Sequence, residues 1–161
     1  MVSYIKITGR MVEGIFRERP NRFLALVNVE GELLPIYVPN PGRMLEFLTP
    51  GRRVILRGAS GEGRKTSYDL IGVLYKGQRI SVDSRIPNRL VYEALRNGDL
   101  EEFSMYREIK PEYGYGHTRF DFLLTDGSER CLLEVKSCTL AEEGSCLLYT
   151  SDAADEGLGV D

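Results

Sequence analysis

The 161-residue sequence is poor in histidine, in cysteine and in long apolar runs. No stretch approaches the ~18 consecutive apolar residues that a membrane helix needs. The opening Met1-Val2-Ser3-Tyr4-Ile5-Lys6 lacks a signal peptide's apolar core, so a cytoplasmic location is expected. Cys131, Cys138 and Cys146 have neither the spacing of a zinc site nor the even count of a disulfide framework, and are expected to be free, buried thiols. The single histidine, His117, falls in a loop over 114–118 and is not expected to hold a metal.

The formal charge of −3 conceals an asymmetry. Residues 1–80 carry +6, residues 81–145 carry −5 and residues 146–161 carry −4. A basic first half suits phosphates and an acidic second half suits a metal ion. Solvated faces account for charge alone equally well.

Residues 146–161 are expected to have a separate origin. Cys146-Leu147-Leu148-Tyr149-Thr150-Ser151-Asp152-Ala153-Ala154-Asp155 is what the bases tgt-ctc-tta-tac-aca-tct-gac-gct-gcc-gac encode. That string resembles a transposon-type sequencing adapter, and Gly159-Val160-Asp161 fits its continuation after a short index. The expectation is a truncated chain whose own sequence runs to about residue 145, with an adapter-like tail that packs poorly.

The first half alternates. Phe23, Ala25, Val27 and Val29 share one strand parity. Further apolar runs lie at 33–38, 54–56, 68–75 and 80–82, separated by the turn signals Glu30-Gly31, Pro39-Asn40-Pro41-Gly42 and 58–63. Four to six short strands so spaced predict a small antiparallel barrel. Residues 44–48 fit one short helix, stopped by Pro50-Gly51. The character changes near Asp83. Pro87 opens a predicted helix through Asn97, with Leu90, Val91, Ala94 and Leu95 on one face and Gly98 as its stop. Two strands follow, over 119–124 and 131–135.

The last pair carries chemistry. A Gly127-Ser128 loop makes paired residue numbers sum to 255, which sets Asp121 opposite Glu134. An Asp126-Gly127 loop makes the sum 253. Either odd sum puts Asp121, Glu134 and Lys136 on one face. Phe120, Phe122, Leu124, Leu133 and Val135 mark the other as the core side. Carboxylates opposed across strands repel, and a divalent cation reverses that sign. Oxygen donors of this kind suit Mg²⁺, which polarises a phosphodiester and lowers the pKa of bound water; Lys136 then neutralises developing charge. A salt-bridged solvent face, with Arg119 and Lys136 balancing the acids, is the plainer alternative.

Elsewhere, 58–66 superficially suggests a phosphate loop, but Arg64 separates Gly63 from Lys65 and breaks the pattern. Arg64 and Lys65 fit a basic barrel loop able to contact a nucleic-acid backbone, and Arg43 has the same reading beside that of a plain surface turn. Tyr4, Phe16, Phe23, Tyr37 and Tyr68 are candidates for base stacking or for core.

Several segments, in order from about residue 12 to 144, resemble the sugar fermentation stimulation protein family. They are Arg22-Phe23-Leu24-Ala25, Pro39-Asn40-Pro41-Gly42-Arg43-Met44, Arg64-Lys65-Thr66-Ser67-Tyr68-Asp69-Leu70 and Val82-Asp83-Ser84-Arg85-Ile86-Pro87-Asn88. Arg119-Phe120-Asp121 and Glu134-Val135-Lys136-Ser137-Cys138-Thr139-Leu140 complete them. The resemblance implies a mixed α+β chain, with an OB-fold-like barrel over 1–81 and an incomplete PD-(D/E)XK nuclease-like α/β domain over 82–145, ahead of the adapter-like tail expected over 146–161. It implies DNA as partner, Mg²⁺ or Mn²⁺ as cofactor and no membrane. Asp121, Glu134 and Lys136 take the nuclease motif's positions, with Asp121 and Glu134 as metal ligands and the acidic Glu93 as a fourth catalytic residue. Arg22, Asn40, Arg43, Arg64 and Lys65 become the expected nucleic-acid contacts. The alternative is a non-enzymatic DNA-binding regulator of maltose-type sugar metabolism. Two departures stand out. Tyr37 replaces a common histidine, and the family's later Phe-Pro-Asp-Ala and Arg-Gly…His segments are not in this sequence.

Overall fold

The computed structural model describes residues 2–137, 139–142 and 145–148. The chain forms two compact units: residues 7–85, with 139–142 and 145–148, make the first, and residues 2–6 with 86–137 make the second.

In the first unit, β1 (Met11–Asn21), β2 (Leu24–Val29), β3 (Glu32–Tyr37), β4 (Arg53–Gly58), β5 (Tyr68–Tyr75) and β6 (Gln78–Ser81) form one sheet in the order β3-β2-β1-β4-β5-β6. A parallel pairing of Tyr37 with Asp69 joins β3 to β5 and closes strands β1 to β5 into a barrel. This is the OB arrangement, in which the β3–β5 pairing covers strand edges that a flat sheet would expose. Alternation puts Phe16, Ala25, Val27, Ile36, Val54, Leu56, Leu70 and Val73 inside, with Phe47 and Leu48 as a plug. Fully burying a large apolar side chain of this kind contributes about 1.5–3 kcal/mol.

β1 is absent from the sequence expectation. Its inward residues are Gly14 and Phe16, and a Cβ on Gly14 would meet Val27 Cγ1 at 2.5 Å. Only glycine lets β1 lie that close to β2. Two other expectations change. Phe23 has the core parity but precedes β2 and is 47 % exposed. Residues 44–48 make a single turn, not a helix: Phe47 and Leu48 both donate to the Met44 carbonyl, and Met44 has a φ of +50° that an α-helix does not admit.

The second unit has α1 (Ile86–Asn97), a short 3₁₀ turn (Glu101–Phe103), and an antiparallel sheet β7-β8-β9 from β7 (Glu108–Tyr115), β8 (Thr118–Thr125) and β9 (Arg130–Leu133). The helix ends as its sequence signals. Gly98, at φ +75°, donates to Leu95 O and Asp99 donates to Ala94 O, which is the Schellman pattern. Leu90, Val91, Ala94 and Leu95 are half-buried, and the Tyr92 ring stacks on Phe122 at 6.1 Å and 8°. β7 was not anticipated, because it is an exposed edge strand interrupted by Pro111.

β10 (Thr139–Glu142) pairs with β11 (Ser145–Leu148), Glu142 opposite Ser145. The tail expected to pack poorly outside both domains thus begins inside a strand that groups with the first unit, since Cys146-Leu147-Leu148 is apolar enough to pair. The rest of that expectation, over 149–161, and Cys138 lie outside the described residues. Cys131 is free and half-buried. No described helix is long and apolar enough to cross a membrane.

Candidate metal centre and nucleic-acid interface

The β8–β9 ladder pairs Phe122 with Leu133, Leu123 with Leu132 and Leu124 with Cys131, so the sums are 255, and continuing that register one step past its last pair would set Asp121 opposite Glu134. The loop differs from the two-residue turn. It spans four residues, 126–129, held by the Asp126 carboxylate, which accepts from Ser128 N and Glu129 N at 2.8 Å each. β9 ends at Leu133, two residues before the expected limit. Past that point, Val135 N–H donates to Asp121 Oδ2 at 2.7 Å instead of to a strand carbonyl. The face that Asp121 shares is not wholly solvent: Leu123, of the same parity, is 3 % exposed.

Asn88, two residues into α1, donates to Asp121 Oδ1 at 2.7 Å. Each Asp121 oxygen therefore carries one hydrogen bond, and about two of a carboxylate's four acceptor directions remain. Glu134 is exposed and ion-paired with Lys136. The Glu134 hydrogen bond and charge hold the Lys136 ammonium above its ordinary pKa. Lys136 is therefore a fixed cation at neutral pH, not a base.

Pro111–Phe122 and Tyr113–Phe120 pair on either side of Glu112, so Glu112 stands opposite Asp121 from β7. Its backbone has a φ of +55°, and its carboxylate binds Arg119 at 2.6 Å. A pocket of ~290 Å³ opens here, with Asn88, Arg89, Tyr92, Glu112 and Asp121 in its wall. Glu93 is not in that wall. Among the described residues no three His, Cys, Asp or Glu side chains are grouped to hold a metal ion. His117 sits exposed in the two-residue turn between β7 and β8.

The expected nucleic-acid residues gather at one end of the barrel. Leu24 pairs with Tyr37, Tyr37 with Asp69, and Asp69 with Arg57, which makes one row across four strands. The segments carrying Arg22, Asn40 to Arg43, and Arg64-Lys65 all leave the barrel near this row. Arg22, Arg43 and Lys65 are exposed. Asn40 is occupied within the fold: Nδ2 donates to Val82 O and Oδ1 accepts from Gly42 N, both at 2.8 Å.

Beneath the row is a cluster that the sequence does not advertise. Asp69 is 1 % exposed and receives Arg64 at 2.6 Å, Arg85 at 3.1 Å and Arg57 at 3.3 Å. Arg85 also reaches Asp83 Oδ2 at 2.7 Å, and Arg64 lies over the Tyr37 ring at 5.8 Å. Burial alone pushes the Asp69 carboxyl up; the Arg64 and Arg85 hydrogen bonds and charges outweigh it and hold it below the carboxylate range. Arg85 is held above its ordinary range, first by its hydrogen bond to Asp83.

Comparison with known proteins agrees with this architecture. The family model described as the SfsA N-terminal OB domain matches residues 18–82, and that described as the sugar fermentation stimulation protein RE domain matches residues 85–153. A sugar fermentation stimulation protein homolog of Desulforamulus reducens is 46 % identical over 86 % of this chain and 57 % of its own length. One from Alkaliphilus metalliredigens is 40 % identical over 95 % of this chain and 66 % of its own. The chain thus spans under two thirds of these relatives' length. The structure of Pyrococcus furiosus SfsA in complex with Ca²⁺ superposes with a TM-score of 0.76 at 28 % identity, over 88 % of this chain and 60 % of that one. On a closed OB barrel, a second sheet with one helix, and these sequence matches, the chain belongs to the sugar fermentation stimulation protein family.

Proposed function

We propose that this chain is the nucleic-acid-binding barrel and part of the catalytic half of a metal-dependent nuclease acting on DNA in the cytoplasm. The observation that carries this reading is the register of β8 and β9. Continued one step beyond Leu133 it would set Asp121 opposite Glu134, and Lys136 is bound to Glu134. Asp121 keeps free acceptor directions while Asn88 and Val135 orient it, so its donor chemistry suits a hard divalent cation such as Mg²⁺ or Mn²⁺. The Pyrococcus relative's complex with Ca²⁺, another oxygen-seeking ion, supports a cation in this fold. Such a cation, when bound, polarises the phosphodiester and makes water more acidic. Asp121 and Glu134 would hold it, and Lys136 would offset charge developing on the phosphate. Arg22, Arg43, Arg64 and Lys65 supply backbone contacts from the barrel, where OB folds take up oligonucleotides.

A non-enzymatic DNA-binding regulator of sugar metabolism is the second reading. It is favoured by the lack of a third acid grouped with Asp121 and Glu134 among the described residues.

Thermal melting separates the two. Mg²⁺, Mn²⁺ or Ca²⁺ at 100 times its dissociation constant stabilises a one-site protein by about 2.7 kcal/mol, and removing the ligand carboxylate removes the shift. The nuclease reading expects a cation-dependent rise in Tm that Asp121→Asn abolishes. An identical rise in the variant, or none in either protein, contradicts it.

A further inference from the structure

We propose that Arg19 is a positioning residue that fastens two barrel loops into one surface for single-stranded nucleic acid, with Phe23 as its base-stacking platform. The proposal rests on the nucleic-acid reading above and adds the class of strand and the residues that select it.

The Arg19 guanidinium is bound by four backbone carbonyls. Nη1 donates to Gly42 O at 2.5 Å and Arg43 O at 2.9 Å; Nη2 donates to Arg22 O at 2.5 Å and Asn40 O at 2.6 Å. Its Nε is buried without a partner, and it has no ion-pair partner among the described residues. Burial lowers its pKa, yet a guanidinium stays charged at any pH the fold meets. One cation thus ties the β1–β2 connection to the segment after β3, and no carboxylate cancels it. A planar fork with five donors can span four carbonyls; an ammonium, with one nitrogen, cannot.

What Arg19 holds is a short run of exposed groups. Arg22 and Arg43 both lend a carbonyl to Arg19 and are themselves exposed. Phe23 lies beside Arg22 and is 47 % exposed. Its backbone is pinned on both sides: Phe23 N donates to Asn21 Oδ1 at 2.9 Å, and Phe23 O accepts from Val38 N at 2.9 Å. An exposed ring on a backbone pinned at both ends, next in sequence to Arg22, stacks a base while Arg22 and Arg43 meet phosphates. In a duplex the base faces are covered by their neighbours, so the platform selects unpaired strands.

The test is fluorescence anisotropy with a labelled oligothymidylate and with a duplex of the same length, over a range of salt. Wild type is expected to bind the single strand more tightly. Phe23→Ala is expected to weaken single-strand binding about 5- to 140-fold, the range of one base stack, without changing the salt slope. Arg19→Gln frees Arg22 and Arg43, so affinity falls and the slope in log salt drops by up to about 1.4. Arg19→Lys does not restore it. A purely structural Arg19 lowers Tm and leaves the slope alone. Phe23 is exposed, so Phe23→Ala remains decisive even if Arg19→Gln does not fold. Wild-type binding with Phe23→Ala unchanged, or equal binding of duplex, overturns this proposal alone. Absence of any binding by wild type overturns it together with the reading it rests on.

Discussion

The Val135 N–H donates to Asp121 Oδ2 at 2.7 Å, just beyond the last paired residue of β9. A side-chain oxygen takes that N–H because β9 has already ended at Leu133, while β8 runs from Thr118 to Thr125. The same carboxylate takes Asn88 from the helix at 2.7 Å, so a proposed metal ligand is also the joint between helix, sheet and the segment bearing Glu134 and Lys136.

Stability therefore depends on Asp121 even without a cation. Asp121→Ala leaves two donors without an acceptor, and hydrogen bonds to charged groups are worth about 1.5–3 kcal/mol each before solvent replaces them. Asp121 is half-buried, so a loss of about 2 kcal/mol in urea unfolding is expected. A loss under about 0.5 kcal/mol, the level of an ordinary surface substitution, contradicts the joint.

Asp69 makes the barrel sensitive to acid. Its folded-state pKa lies below the unfolded value, so its contribution is fully present above the unfolded pKa of about 4 and is lost as pH falls through the folded value. Unfolding midpoints are expected to drop below about pH 4, and less so in Asp69→Asn. That substitution also costs about 3 kcal/mol at neutral pH, the lower end for a broken buried pair, because its arginines are partly solvated. An unchanged acid limb in the variant contradicts this account.

Gly14→Ala tests the close approach of β1 to β2. The new methyl would fall 2.5 Å from Val27 Cγ1, and overpacking typically costs about 1–3 kcal/mol. A variant as stable as wild type contradicts the fit.

Arg43 and Lys65 are exposed and near the Leu24–Tyr37–Asp69–Arg57 row, so they test the phosphate contacts without touching the buried cluster. Reversing both to Glu is expected to lower oligonucleotide affinity and to flatten its salt dependence by about 1.4 in log–log slope for a single strand. Affinity insensitive to salt in the wild type contradicts the contacts.

The strands that sequence reveals are those whose period-2 pattern is clean, such as Ala25-Val27-Val29 in β2. β1 is hidden because glycine takes one inward position and Arg17-Glu18-Arg19-Pro20 ends the strand in polar residues. β7 is hidden because an edge strand buries little. The β8–β9 register was legible, since its pairs sum to 255 as expected although the loop has four residues and not two. Asn88 and Arg19 were not. Asn88 acts on a residue 33 positions away, and Arg19's partners at 22, 40, 42 and 43 are all backbone carbonyls, which carry no residue signature. Asn88 does stand in a segment that resembles the family, and that was its only trace.

The most direct measurement is cleavage of labelled DNA with Mg²⁺ or Mn²⁺ by a full-length protein carrying this sequence, compared with Glu134→Gln in the same protein. The account predicts cation-dependent cleavage by the wild type, its loss in Glu134→Gln, and DNA affinity within about twofold of wild type, because the barrel's phosphate contacts are untouched. Cleavage that persists in Glu134→Gln, or a wild type that binds DNA without cutting it at any cation concentration, would contradict it.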